Sequence, residues 1–317
     1  MRFAVWLSGR LAGIALTLLI VSVLVFGILY VTPGSAEQVL LGTRPSSPET
    51  LAAIRERYHL DESVGSQYVH WLSSAVRLDL GESVRSGQDI STMLSERMPV
   101  TLFLAAYAAL IAVVIGIPAG LVAGIRSGTL TDRAITVATT ICVSAPSFVV
   151  GFLLLYVFGV ALDWFPNYGT GGGLVDRAWH LTLPAVALAL APMAILARQT
   201  RASALKVYHQ DFTTFARARG LPRRVVLGRY ALRNSSLPVV TTAGLVVGYF
   251  LTGTVLVEQV FAVPGIGTLM IESVSTKDVL VVQMLALVIA LFMLSANLLA
   301  DLGHLALDPR VRKGVLG

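Results

Sequence analysis

The chain has 317 residues, 55% of them apolar and only 13% charged, with a mean hydropathy of +0.76. That balance excludes a soluble domain and points to a polytopic membrane protein. The net charge of +6 does not mark a nucleic-acid binder, because its excess sits in one loop, Arg198 to Pro238, and at the termini, as a positive-inside bias predicts.

Arg2 and Arg10 precede an uncharged run from Leu11 to Ala36. Its apolar part, Leu11–Val31, exceeds the ~7–15 residues of a cleavable signal core, so it is read as a retained first transmembrane helix with its positive end inside. Thr32 to Pro99 is the largest polar segment, opened by the breakers Pro33-Gly34 and Pro45-Ser46-Ser47-Pro48. Leu51, Ile54 and Tyr58 recur at helical spacing over Glu49–His59, and Tyr68, Trp71, Leu72 and Val76 form a second apolar stripe. Acids outnumber bases in this segment, which suits a small folded extracytoplasmic subdomain. It serves either as a cap over the spans or as the contact for an external substrate carrier; the residues leave both open.

Five further runs free of Asp, Glu, Lys and Arg follow: Val100–Ile125, Ala134–Leu162, Leu181–Ala197, Val239–Val257 and Val279–Ala300. With the first they make about six spans. Charge places Arg126, Arg133, the basic loop and the C-terminal Arg310, Arg312 and Lys313 inside, and Asp163–Asp176 and Glu258–Asp278 outside. Pro118, Pro146, Pro184 and Pro192 interrupt the spans, accompanied by Gly116, Gly120, Gly124, Gly151, Gly244, Gly248 and Gly253. Each of these residues by itself reads as a kink or a close packing point, and the set reads as a helical bundle that moves. The single cysteine, Cys142, excludes an intrachain disulfide and reads as a small core residue.

The loop between the fourth and fifth spans carries Arg198, Arg201, Lys206, Arg217, Arg219, Arg223, Arg224, Arg229 and Arg233, opposed only by Asp211. Within it, Asp211 to Gly220 reads as a short amphipathic helix with Phe212, Phe215 and Ala216 on one face. Gly220 suits the left-handed position past its end, and Pro222 prevents continuation. A plain connector has no need of an apolar helical face in water, so this face is read as docking on a cytoplasmic partner. Arg198 and Arg201, at the end of a span, are read as membrane-surface charge.

Several chemistries are missing. No GxxxxGK[ST] occurs, and His59, His70, His180, His209 and His304 lack metal-ligand spacing. No span carries an ionisable residue other than His, whereas ion-coupled carriers place acids or bases at membrane depth. A transport bundle with neither an ATP site nor a coupling ion must receive its energy from another subunit, through the cytoplasmic helix.

Several stretches carry a family resemblance, among them His180-Leu181-Thr182-Leu183-Pro184-Ala185; Ala197-Arg198-Gln199-Thr200-Arg201-Ala202-Ser203; Ala216-Arg217-Ala218-Arg219-Gly220-Leu221; Ala231-Leu232-Arg233-Asn234 with Leu237-Pro238; Val257-Glu258-Gln259-Val260-Phe261 with Pro264-Gly265-Ile266-Gly267; Asn297-Leu298-Leu299-Ala300-Asp301; and Leu307-Asp308-Pro309-Arg310. Together they resemble the permeases of binding-protein-dependent ABC importers, specifically the first permease subunit of dipeptide/oligopeptide/nickel systems. The resemblance implies an all-α type I importer permease fold of about six transmembrane helices. It divides the chain into a first transmembrane helix (1–31), an extracytoplasmic subdomain between helices 1 and 2 (32–98), a core permease domain (99–303) with a cytoplasmic coupling loop (198–237), and a cytoplasmic tail (304–317). It further implies that Asp211, Phe212, Phe215, Ala216, Arg217, Arg219, Gly220 and Leu221 form the ATPase-coupling helix of the "EAA" loop, with Phe212 and Phe215 filling an apolar groove and Arg217 and Arg219 meeting acids.

The partners so implied are a second homologous permease, two cytoplasmic ATPase subunits carrying the ATP and Mg, an extracytoplasmic binding protein and membrane lipids, with no nucleic acid. The chain itself is expected to hold no catalytic residue, cofactor or metal. It is expected in the inner or plasma membrane of a prokaryote, with both termini cytoplasmic. Di- or oligopeptides are the implied cargo, with nickel chelates, glutathione and haem as alternatives. An autonomous channel or secondary carrier, and a non-transporting receptor or scaffold, are the readings from other classes.

Overall fold

A computed structural model of the chain describes residues 2–31, 34–41, 47–208, 210, 211, 215, 219, 250 and 253–307. The described residues are helical, with no strand among them beyond a single bridge between Glu82 and Asp89. The helices are α1 (Arg2–Val31), α2 (Ala36–Leu41), α3 (Pro48–Arg57), α4 (Val64–Val76), α5 (Ile90–Ile125), α6 (Leu130–Ser144), α7 (Ser147–Leu154), α8 (Leu174–His180), α9 (Thr182–Tyr208), α10 (Ile266–Ser275) and α11 (Val279–Leu307). A π-helical segment, Leu155–Ala161, prolongs α7, and residues 253–260 are also helical.

Among the described residues, four helices are long and apolar enough to cross a membrane: Phe3–Val31, Ile90–Ile125, Thr182–Lys206 and Val279–Gly303. The protein is therefore multi-pass. The run Ala134–Leu162, expected as one span, is instead two helical pieces, Leu130–Ser144 and Ser147–Ala161, bent 104° from each other. Pro146 causes the break: it has no N–H to donate, and it forces Ala145 before it into an extended conformation (φ −83°, ψ 123°). The expected span Val239–Val257 lies largely outside the described residues, which within it are 250 and 253–257. Pro192, by contrast, sits inside α9 without ending it.

The chain divides into two compact units, Met1–Thr101 with Pro264–Ser295, and Leu102–Val263 with Ala296–Gly317. In the first, Leu29, Leu40, Ile90, Leu269, Val281 and Leu285 belong to one buried core against which Ile54, Tyr58, Trp71 and Leu80 pack. The two apolar stripes expected in the polar segment are α3 and α4; α4 begins at the cap of Ser63, whose hydroxyl accepts the Ser66 N–H at 3.4 Å. Phe26 of α1 meets Tyr68 and Trp71 of α4 with ring centroids 5.4 and 5.5 Å away, and the Tyr30 hydroxyl donates to Gln67. Gln283 of α11 donates its side-chain amide to the carbonyls of Val25 and Phe26 at 3.2 and 3.4 Å. Asp278 is buried at the head of α11 and accepts the Ser83 hydroxyl at 2.6 Å and the Arg85 N–H at 3.4 Å. At the exposed edge of α4, Glu62 accepts the Ser66 hydroxyl at 2.5 Å. That bond, helped by the nearby His70 and His59 rings, holds the Glu62 carboxyl below the usual carboxylate range.

In the second unit α5 and α9 approach backbone to backbone. A Cβ added at Gly116 would stand 2.6 Å from the carbonyl oxygen of Met193, and one at Gly120 would stand 2.2 Å from that of Ala197. At Gly124 it would meet the Ala204 Cβ at 2.7 Å. Glycine every fourth residue puts one flat stripe along α5, and no other residue type permits this separation. A Cβ added at Gly151 of α7 would stand 3.2 Å from Phe261, 3.4 Å from Val260 and 3.8 Å from Ala187.

Gly120→Val should therefore lower the stability of the detergent-solubilised protein by about 1–3 kcal/mol or more, whereas Gly27→Ala, with open space around its Cβ position, should leave the melting temperature nearly unchanged. Equal melting curves for the two variants would contradict the close α5–α9 seam. The Glu62 contribution has a defined pH dependence as well. Because the folded carboxyl titrates below its unfolded value, its stabilisation is present at neutral pH, falls away as the pH drops through the folded pKa, and is absent in stronger acid. The stability difference between wild type and Glu62→Gln should shrink on acidification, and a difference that grew would count against it.

Candidate coupling site

The site is built on the last turns of α9. This helix ends at Tyr208, and of the eight residues expected to form the coupling helix the structure describes Asp211, Phe215 and Arg219. The other five, Phe212, Ala216, Arg217, Gly220 and Leu221, lie outside the described residues. Arg219 donates its backbone N–H to the Phe215 carbonyl at 3.0 Å, a bond with the i to i+4 spacing of a helix. Phe215 is 70% exposed and Asp211 and Arg219 are exposed with it. Burying a phenylalanine of this kind is worth about 1.5–3 kcal/mol. An open aromatic ring on a basic loop is a surface with something to gain from a partner.

The base of the loop is fixed by an ion pair that spacing alone did not reveal. Arg201 of α9 donates Nε to Oδ1 of Asp132 at 2.5 Å and Nη2 to Oδ2 at 2.9 Å. Asp132 lies in the first turn of α6 and is only 4% exposed. Its Oδ2 also accepts the Gly128 N–H at 3.0 Å, and Oδ1 accepts the Thr136 hydroxyl at 3.5 Å. One turn earlier on α9, Arg198 donates Nη2 to the Thr140 hydroxyl at 2.8 Å. Both arginines were expected as lipid-facing charge. Arg201 is instead one arm of a bidentate pair, and Arg198 reaches across to α6. The energetic reason is that a buried carboxylate must be paired, and a guanidinium fork satisfies both of its oxygens at once.

Asp132 is absent from the candidate residues that sequence reasoning named. The available signal was Thr129-Leu130-Thr131-Asp132, a helix-capping pattern after Gly128. The Thr129 hydroxyl does cap α6, accepting the Asp132 N–H at 3.5 Å, but a capping pattern gives no hint that the acid also faces another helix. Among the described residues no three His, Cys, Asp or Glu side chains stand together as metal ligands.

Known proteins resemble the chain along almost its whole length. Residues 116–313 match the family described as "binding-protein-dependent transport system inner membrane component", and residues 1–105 match the companion N-terminal family of such membrane components. A probable peptide ABC transporter permease protein, y4tP, of Sinorhizobium fredii is 34% identical over 312 residues, covering 97% of this chain and 99% of that protein. The oligopeptide transport system permease protein AppB of Bacillus subtilis is 36% identical over 300 residues, 93% of this chain and 95% of its own length. The glutathione transport system permease protein GsiC of Escherichia coli is 35% identical over 303 residues, 96% of this chain and 97% of its own length. An apolar, helical, multi-pass chain that matches this family over most of its length belongs to it: it is a member of the inner membrane components of binding-protein-dependent transport systems.

Proposed function

We propose that the chain is one of two permease subunits of an ATP-driven importer for short peptides, and that it docks on a partner ATPase through the loop containing Phe215 and Arg219. The observation that carries this reading is the exposed Phe215 ring, beyond the end of a transmembrane helix in a loop whose sequence is rich in arginine. Phe212 and Phe215 would enter an apolar groove, and Arg217 and Arg219 would meet its acidic rim, which sets orientation and on-rate. ATP and Mg would be held and hydrolysed on two such partners. Their closure would drag the loop and swing the bundle between outward- and inward-open states.

The cargo class is supported by the relatives named for peptide, oligopeptide and glutathione transport. Glutathione is itself a tripeptide, so these names share one chemistry: amide donors and acceptors between charged ends. Glutathione is the second reading on the strength of GsiC. An extracytoplasmic binding protein would select and deliver the cargo. The orientation that fits has the basic loop and both termini in the cytoplasm and residues 34–89 outside the cell membrane of a prokaryote.

The test is uptake by the assembled transporter in proteoliposomes. Phe215→Asp or Gly220→Pro should cut peptide uptake by about tenfold or more while the chain remains in the membrane and the ATPases still hydrolyse ATP. Wild-type uptake by either variant would overturn the docking assignment. Transport by this chain purified alone, without ATPases, would instead establish an autonomous carrier.

A further inference from the structure

We propose that Asp132 and Arg201 are positioning residues for the transport cycle: their ion pair closes α5, α6 and α9 into one rigid body, so that displacement of the loop is passed to the bundle rather than absorbed at the end of α9. The inference rests on the functional reading above and deepens it.

Three observations meet at Arg201. Its guanidinium holds both oxygens of Asp132 on α6 at 2.5 and 2.9 Å. Its backbone faces α5, since a Cβ at Gly124 would lie 2.9 Å from its carbonyl oxygen. It also sits near the end of α9, seven residues or about 10 Å of helix before Tyr208 and the loop beyond. Arg201 is thus a point near the described end of α9 at which the helix is gripped from both sides.

Each grip resists a different motion. The glycine stripe of α5 sets carbonyls of α9 against α5 itself, which blocks any further approach. The fork on Asp132 opposes rotation of α9 and its withdrawal from α6. The carboxylate is in turn fixed by the Gly128 amide and the Thr136 hydroxyl, so it has no slack to give. Arg198 adds a second tie to Thr140 one turn deeper. A loop pulled from below therefore moves three helices together. If the pair is opened, the last turns of α9 can bend by themselves, and the same pull does less to the bundle. This separates holding the fold from passing on motion: the pair is needed when the loop is pulled, even if the resting structure survives without it.

The experiment uses the complete transporter, with this chain, its co-purifying subunits and the binding protein, in proteoliposomes. Uptake and ATP hydrolysis are measured together for Arg201→Gln, Asp132→Asn, Arg201→Lys and the double variant Asp132→Asn/Arg201→Gln. The expected result is that the ATPases co-purify as in wild type and hydrolysis persists, but peptide carried per ATP falls by about tenfold in the neutral variants. Arg201→Lys, which keeps the charge but loses the fork, should fall between wild type and Arg201→Gln. Whether or not a single variant with an unpaired buried charge accumulates, the double variant leaves none, and it should transport no worse per ATP than the poorer single. A double variant that couples uptake to hydrolysis as wild type does overturns the proposal, and so do single losses that multiply in the double. Both outcomes leave the docking assignment untouched. A wild-type chain that co-purifies with no nucleotide-hydrolysing subunit removes the functional reading, and this proposal with it.

Discussion

Backbone contact between α5 and α9 is the constraint on which the second unit depends. Lipid tails are as apolar as leucine, so transmembrane helices gain nothing from hydrophobic burial against each other and rely on close packing and polar ties. Gly116, Gly120 and Gly124 supply the first, since each would bring a Cβ within 3 Å of α9 if it were any other residue. Asp132 and Arg201 supply the second where the seam reaches the end of α9. The two devices divide the work. A stripe without side chains fixes distance but is indifferent to sliding, whereas a forked ion pair fixes register but needs backbones already held close.

Much of the fold was legible because hydrocarbon imposes a simple rule: a spanning segment must be long, apolar and internally hydrogen-bonded. The runs at the N-terminus, Val100–Ile125, Leu181–Ala197 (all but Leu181) and Val279–Ala300 therefore appear inside helices α1, α5, α9 and α11. Their ends were less legible, because helices continue past the last apolar residue where polar partners exist. α1 begins at Arg2 and keeps Arg10 by placing its guanidinium 5.8 Å from the Trp6 ring. The bend at Pro146 was visible only as a proline. Pro192, equally a proline, leaves α9 unbroken, and nothing in the local sequence separates the two cases. The difference lies in the conformation that the preceding residue adopts, and Ala145 is extended.

The candidate site divides along the same line. Phe215 and Arg219 could be proposed from periodicity, because a helical face in a basic loop is a local pattern, and their backbones are joined by one i,i+4 hydrogen bond. The Asp132–Arg201 pair could not, because it joins residues 69 positions apart and neither flank carries a pattern that names the other. Long-range polar ties are written in the sequence only as isolated charged residues whose partners are undetermined. Arg201 by itself was more plausibly a lipid-facing charge, and burial of Asp132 reverses that reading.

The hydrogen bond from Ser83 to Asp278 crosses 195 residues of chain, and the amide of Gln283 reaches carbonyls of α1 across 258. Residues 34–89 are thus completed by a stretch near the opposite end of the polypeptide. During synthesis this early segment emerges with its apolar stripes uncovered and must wait until residues 264–295 have been made and threaded into the bilayer before it can close. A truncation that removes α10 and α11 would strip a distant N-terminal region of its core as well as deleting a span.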